Sequence, residues 1–478
     1  MQLIFKYGTS FFLVLLCIVF SWLTLTPQDA FDASAAERIA NQISQTTETS
    51  PSETTVLIAV RDNEAERSYA ALLEKKLKAQ GIEQITTATT AREGRQLLNQ
   101  LQAENRALQT VAATQVTGSW LLFADLATDY PLHQHAKILV TSSRLWPNFL
   151  KYKNVSNVLN QISVIAIIAI GMTFVIIAGG IDLSVGSLIA FCSVITALLI
   201  RDYGGGDEAS TLWLLIACGV GIGACGVIGA FSGGMVVGLD IPPFIVTLAM
   251  MLVASGLAFI CSNGYAIPEV PEAFTWLGRG AAIKIGMFGG SAIEIPNAVC
   301  LTLVLYVIAH IVMSRTVLGR YVYAVGDNRQ AAWLSGVPVK RVLMFTYILS
   351  GLLAGVGGVV LSSTFRSGEP TFGIMYELYV IAAVVVGGTS LTGGRGTVVG
   401  TLIGALLIGV INNGMNLLHV TAYWQKVILG LVILGAVLLD RLARSVPKTS
   451  SRMRQQESPK IETNGPNKSA GDNATKNA

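Results

Sequence analysis

The chain has 478 residues, of which 52% are hydrophobic and only 13% charged, about half the roughly 25% charge of a soluble protein. Residues 27–143 hold 14 acidic and 10 basic side chains and residues 441–478 hold 3 and 8, which leaves 27 charges for the other 323 residues. That is too few to clothe a soluble surface, so an ordinary cytosolic globule is excluded. The pattern predicts an all-α polytopic membrane protein of about ten transmembrane helices, with a small α/β extramembrane insert after the first.

A hydrocarbon core about 30 Å thick takes roughly 20 apolar residues as a helix. Apolar runs that meet or approach this length lie at 9–25, 162–178, 183–200, 212–237, 244–261, 298–313, 342–361, 379–388, 397–412 and 424–439. Several are short or broken by glycine, a feature that in transporters marks discontinuous helices near the substrate path. The expected units are a first span at 1–26, the insert at 27–143, a membrane unit at 144–440 and a basic, disordered tail at 441–478.

Basic residues in short loops set the orientation. Arg315, Arg320, Arg329, Lys340, Arg341, Arg395 and the tail arginines fall on one side with Lys6, which assigns that side to the cytoplasm. Arg144, Lys151 and Lys153 run against the rule. Residues 27–143 then lie outside, in the periplasm of a two-membrane cell. There the chain alternates as a strand over 55–60, a helix over 63–80, a strand over 85–90 and a polar helix over 91–109, with a further strand at 120–123. The insert holds no cysteine; all six cysteines fall in or beside apolar runs and show no zinc spacing. A competing reading of the start is a secretory leader with 33–35 as its cleavage site.

Four features carry chemistry. Between the sixth and seventh runs, 318–336 reads as a glycine, a cap at Asp327 or Asn328, an Ala-Ala helical turn and a glycine stop. Small residues there let another chain approach closely, whereas a plain basic connector needs no such glycines. Gly179-Gly180-Ile181-Asp182-Leu183-Ser184 places an acid beside hydrocarbon, which is expensive and usually functional or paired; the plainer role is a helix cap. A related Gly387–Gly396 hairpin hints at an internal repeat. Glu377, Asn412, Asn413 and Asn416 offer polar lining for a hydroxyl-rich solute or, more plainly, hydrogen bonds between helices. His310 stands alone, and the GxxxG pairs at 219/223, 351/355 and 400/404 favour close helix packing or a dimer seam. No phosphate loop, HExxH or nucleophile elbow is present, so no catalytic residue, metal site, cofactor or nucleic-acid partner is expected. An ATP-driven process would have to borrow its ATPase. An ion-coupled carrier remains the alternative, although it would need a membrane-centre relay, and only Asp182 and Glu377 are on offer.

At these residues the chain resembles the membrane permease subunits of bacterial ABC importers for ribose and related monosaccharides. The resemblance runs from Trp146-Pro147-Asn148-Phe149 to Asp440, through Gly171–Leu188, Ile241–Leu248, Leu318–Gly336, Gly387–Gly400 and Leu407–Leu418. It implies inner-membrane location, a paired second permease copy, two cytoplasmic ATP-binding cassette subunits and a periplasmic sugar-binding protein. The coupling loop would comprise Arg320, Gly326, Asn328, Ala331, Ala332, Leu334, Ser335 and Gly336, and Asp182, Ser184, Glu377 and the three asparagines would line the path. Three places depart from the family: Asp327 follows Gly326 where a second glycine is usual, Trp333 is large, and Tyr379 follows Tyr376-Glu377-Leu378 where an acid is usual. The 27–143 insert is the largest departure.

Overall fold

The computed structural model describes residues 2–46, 50–286 and 292–445. Helix α1 (Gln2–Leu23) leads into strand β1 (Leu25–Asp29), which begins a stalk. Above it come α2 (Ala33–Thr46), β2 (Thr55–Ala59), α3 (Glu64–Ala79), β3 (Gln84–Ala88), α4 (Ala91–Ala103) and β4 (Thr110–Ala113). Two short turns of helix, α5 (Leu121–Ala124) and α6 (Leu126–Asp129), precede β5 (Lys137–Val140), and β6 (Ser143–Pro147) returns antiparallel to β1. Strands β2 to β5 form one parallel sheet in the order β3-β2-β4-β5. β2 and β4 are buried at every residue because helices cover both faces, which is why they read as apolar runs and not as alternation.

Local chemistry fixes the helix starts of this unit. Asn63 and Thr90 accept from Glu66 N and Glu93 N. The Asp32 carboxylate accepts from Ala35 N (2.7 Å) and Ser34 Oγ (2.8 Å), and these bonds hold it below the usual carboxylate range. A depressed folded pKa gives stability that is present above the unfolded value and lost as pH falls through the folded one. Asp32→Ala should therefore speed deuterium exchange of the first α2 amides about fivefold near neutral pH, the ~1 kcal/mol of a lost cap. The difference should close in acid; equal exchange at neutral pH would show that the cap is idle.

The membrane unit follows: α7 (Tyr152–Ile177), α8 (Val185–Leu198, its last turn widened through Tyr203), α9 (Thr211–Gly238) and α10 (Pro243–Ser262). A hairpin of β7 (Ala281–Gly286) and β8 (Ala292–Pro296) leads to α11 (Asn297–Arg315) and two short helices, α12 (Val317–Asp327) and α13 (Arg329–Leu334). Then come α14 (Val339–Phe365), α15 (Tyr376–Val386), α16 (Val398–Leu417) and α17 (Ala422–Ser445). Seven of these are long and apolar enough to cross a bilayer, namely α7 to α11, α14 and α16; Gly8–Leu23, α15 and Ala422–Gly435 are shorter apolar helices. The protein is thus a mostly helical polytopic membrane protein.

Buried α7 and α14 form the centre. Glycines allow α9 and α14 to cross closely: a Cβ on Gly229 would strike the Tyr347 carbonyl, and one on Gly351 the Cys225 carbonyl. The 400/404 pair serves α15 against α16 in the same way, whereas Gly219 and Gly223 face open space. Phe20 of α1 packs on Phe149 and Val410.

The structure corrects several expectations. The segment 120–123 is the helical turn α5, with Leu122 and Phe123 buried and Leu121 79% exposed; a four-residue apolar run does not choose between helix and strand. α4 ends at Ala103 and not at 109, so that Thr110 can start β4. β4, β5 and the stalk were not anticipated. Leu183 and Ser184, at the start of the third apolar run, precede α8, which begins only at Val185. Most of the expected tail, from residue 446 on, lies outside the described residues.

Candidate functional site

Two helices of this unit end on the same glycine device, and the second of them is short. α7 ends with Gly179 at φ 81°, where Gly179 N bonds Ile176 O and Gly180 N bonds Val175 O. α15 ends the same way at Gly388, φ 91°, with Gly388 N on Val385 O and Thr389 N on Val384 O. Both are Schellman caps, for which glycine is favoured because the position is left-handed. The two hairpins therefore share a backbone device, with the cap glycine first in one Gly-Gly pair and second in the other. After Gly179 the chain runs without helix to Val185. α15 has 11 residues, about 16 Å at 1.5 Å each, half of a ~30 Å core.

Asp182 anchors the non-helical stretch. It is 1% exposed; one carboxylate oxygen accepts from Ser184 N (3.0 Å) and Oγ (2.6 Å), the other from Ser350 Oγ (2.7 Å) near the middle of α14. Thr247 of α10 donates to Ile181 O (3.1 Å). Non-helical backbone at membrane depth survives only when protein or a cavity takes up its polar groups, and these bonds do so for the Ser184 amide and the Ile181 carbonyl. Asp182 and Ser184 are thus fully engaged in holding the entry to α8.

Where α8 and α15 begin, they meet. Gly186 lies so close to the Glu377 carboxylate and Gly373 O that no side chain fits. Beside this contact is a cavity of about 180 Å³, lined by Ser187, Met251, Ser255, Phe372 and Glu377 among others. Leu252 and Ile374 rim it and are 67% and 64% exposed. Glu377 is the only residue of the sequence-derived path set that lines this cavity. Asn413 exchanges 2.9 Å bonds with Asn154 of α7, and Asn416 accepts from Gln425 of α17 (2.8 Å). Asn412 is half-buried and has no side-chain bond among the described residues. Ser350, Ser187 and Ser255 escaped sequence reasoning, since a single serine in an apolar run carries no positional signal.

The short helices α12 and α13 lie against the end of α7 and the loop that follows α15. Asn328 caps α13 by accepting from Ala331 N (3.0 Å), and Gly336 ends it at φ 82°. Gly326 packs against Ile177 O and Gly394 N; Gly394 N bonds Ile177 O (2.9 Å), and Arg329 reaches Gly179 O (3.4 Å). Ala332 is buried, Ser335 returns its hydroxyl to Ala331 O, and Arg320 and Ala331 are exposed. Trp333 and Leu334 project, 69% and 77% exposed. Among the described residues no group of three or more His, Cys, Asp or Glu gathers as metal ligands. A second, shallow groove, about 630 Å³, lies on the insert beside Arg95, Asn99 and Asp129.

A helical membrane unit whose discontinuous helices meet at an interior cavity has the build of a transport permease. The permease component of branched-chain amino acid transport systems is the family that matches, over residues 154–437. The chain is 41% identical over 307 residues to a ribose import permease protein of Escherichia coli (strain K12), covering 63% of this chain and 90% of that one. It is 42% identical over 305 residues to a ribose import permease protein of Bacillus subtilis (strain 168), covering 64% and 89%. Over 308 residues it is 37% identical to an L-arabinose ABC transporter permease protein of Azospirillum brasilense, covering 64% and 86%. No solved structure matches the chain. The chain belongs to this permease family and is a multi-pass inner-membrane permease subunit of an ABC importer.

Proposed function

We propose that this chain forms the passage of an ATP-driven importer for ribose or a related monosaccharide. The observation that carries the reading is the identity of about two-fifths with ribose permeases across nearly their whole length. The family's description names branched-chain amino acids, but no Lys or Arg lines the cavity among the described residues to meet an amino acid's carboxylate. In this reading α1, α7 to α11 and α14 to α17 make ten spans, α12 and α13 face the cytoplasm, and the insert stands in the periplasm. A second copy of the permease closes the cavity rim at Leu252 and Ile374 against lipid. Glu377 and Asn412 line the path, while Asp182, Ser184, Asn413 and Asn416 hold its walls. No catalytic group is assigned; separate ATP-binding cassette subunits supply hydrolysis.

Arg320, Gly326, Asn328, Ala331, Ala332, Leu334, Ser335 and Gly336 build the coupling segment that seats on an ATPase subunit. Trp333 and Leu334 are its anchors, and exposed aromatic anchors dominate such interfaces. Trp333→Ala with Leu334→Ala should weaken co-purification with the ATPase at least 30-fold, about 2 kcal/mol; unchanged capture would remove the loop from that interface. ATP binding would draw two such loops together, and because each rests on the end of α7 and on the loop that follows α15, the movement is passed on toward the cavity. A periplasmic sugar-binding protein supplies the solute.

The test of the whole reading is reconstitution. Alone in vesicles the permease should neither hydrolyse ATP nor concentrate sugar; with ATPase and binding protein it should do both. Accumulation by the permease alone, driven by an ion gradient, would favour a secondary carrier. The insert decorates the outer surface on this view. Deleting residues 31–139 leaves Val140 and Thr141 as a two-residue turn on the stalk, where Ala30 N already bonds Ser142 O. Import should stay within twofold of the intact chain, and a larger loss would make the insert a docking module.

A further inference from the structure

Hydroxyls in the membrane helices follow one habit. Ser163, Ser232 and Thr302 each donate to the carbonyl four residues back, at 2.8, 3.1 and 2.7 Å, which is how a serine or threonine settles in apolar surroundings. Ser350 is satisfied by Asp182. Ser187 in the first turn of α8 and Ser255 within α10 depart from the habit: neither hydroxyl has a partner among the described residues. Both line the 180 Å³ cavity, and so does Glu377, whose carboxylate takes no hydrogen bond from another described residue. All three residues are only partly buried and their polar atoms open onto the cavity, so a solute that enters it can take up the bonds their neighbours leave free.

The three groups sit in one chamber for structural reasons. Ser187 and Glu377 are held by helix starts that meet through Gly186 and Gly373, and the first turns of both helices favour negative charge. Ser255 faces them from α10. Phe372, packed on Phe365 at 5.3 Å, and Met251 supply the apolar wall. The cavity is more than ten times the ~10–15 Å³ that admits one water. A carboxylate is a strong acceptor for hydroxyl donors, each serine gives and accepts one bond, and an aromatic face suits the C–H side of a sugar ring.

We propose that Glu377, Ser187 and Ser255 form a hydroxyl-binding subsite for a neutral monosaccharide, placed where the two broken helices begin. It rests on the importer reading above and adds the position at which the solute pauses. Three hydrogen-bonding groups around one small chamber hold a sugar loosely, as a passage requires if it is to release its cargo.

The test uses the complete importer, with its ATPase and binding-protein subunits, in proteoliposomes offered D-ribose, L-arabinose or D-allose. Ser255→Cys, alkylated by a small maleimide and read at that peptide by mass spectrometry, should react at least fivefold more slowly in the presence of the imported sugar. Leu257→Cys, on the same helix, should react at one rate in both conditions. Glu377→Gln should lower the sugar imported per ATP hydrolysed at least fivefold, because an unheld solute lets the machine cycle empty. Should Ser255→Cys not assemble, the double variant Ser187→Ala, Ser255→Ala is read by the same ratio. Sugar-independent labelling, or a ratio within twofold of the unaltered importer, overturns the subsite and leaves the importer standing. If the unaltered importer moves none of the three sugars, the monosaccharide reading itself falls and takes the subsite with it.

Discussion

Gly326→Val should reduce ATP-dependent sugar uptake at least 100-fold in membranes that contain normal amounts of the permease. A Cβ at 326 would collide with Ile177 O and stand 2.7 Å from Gly394 N, closer than carbon approaches any backbone atom. Neither neighbour can yield: Ile177 O already accepts from Gly394 N, and a Cβ built on Gly393 would stand only 2.7 Å from Gly326 O. The added side chain would lift α12 and α13 off the end of α7 and the loop that follows α15, so a push on the coupling loop would no longer reach the cavity. Gly336→Ala is the companion case. Its Cβ meets open space and only the φ of 82° is unfavourable, a penalty of about 1–2 kcal/mol, so uptake should fall only a few-fold. Wild-type uptake by Gly326→Val would show that this packing carries no motion.

Asp182→Ala should destabilise the solubilised permease by about 3 kcal/mol, because buried donors that lose their acceptor cost about 1–3 kcal/mol each. It strands the Ser184 and Ser350 hydroxyls and the Ser184 amide at once, all of which now bond the carboxylate. Asp182→Asn should lose only about 1 kcal/mol, because an amide oxygen still accepts from Ser184 and the amide nitrogen can donate to Ser350 Oγ. The midpoint of thermal unfolding in detergent measures both, and the alanine variant should melt several degrees below the asparagine one. Equal midpoints would mean that the carboxylate is not what holds α14 against the entry to α8.

Much of the fold was legible because a bilayer punishes the wrong pattern. The apolar runs at 212–237 and 244–261 became α9 and α10 with ends moved by only one residue. Asn328 was legible as a cap and Gly336 as a stop, since both answer to local backbone chemistry. The insert's α3 and the start of α4 followed their periodicity, while β2 lies at the expected place as a fully buried run without the expected alternation. β4 and β5 did not, for β4 is covered on both faces and β5 is an edge strand that adds to β4 only after the chain has turned through α5 and α6.

The candidate site was read less completely. Glu377 stood out as an acid beside hydrocarbon and does line the cavity, but Asp182 carries the same sequence signal and is fully engaged with Ser184 and Ser350. Nothing local separates the two, because the difference lies in what α14 and α10 bring opposite them. Asn413 likewise meets Asn154 across 259 positions of chain.

By itself the sequence determined the membrane class, the apolar spans, the glycine-bracketed loop and the family. The first three follow from composition or from contacts within one turn of helix, and the family from the likeness of the motifs to known permeases. Only the tertiary structure decided that Gly326 packs on the end of α7 and on the Gly394 loop beyond α15, and that three polar groups with no bond to another described residue share one chamber. Those facts depend on which distant helices pack together, and packing is settled by the fit of surfaces far apart along the chain, where no local pattern reaches.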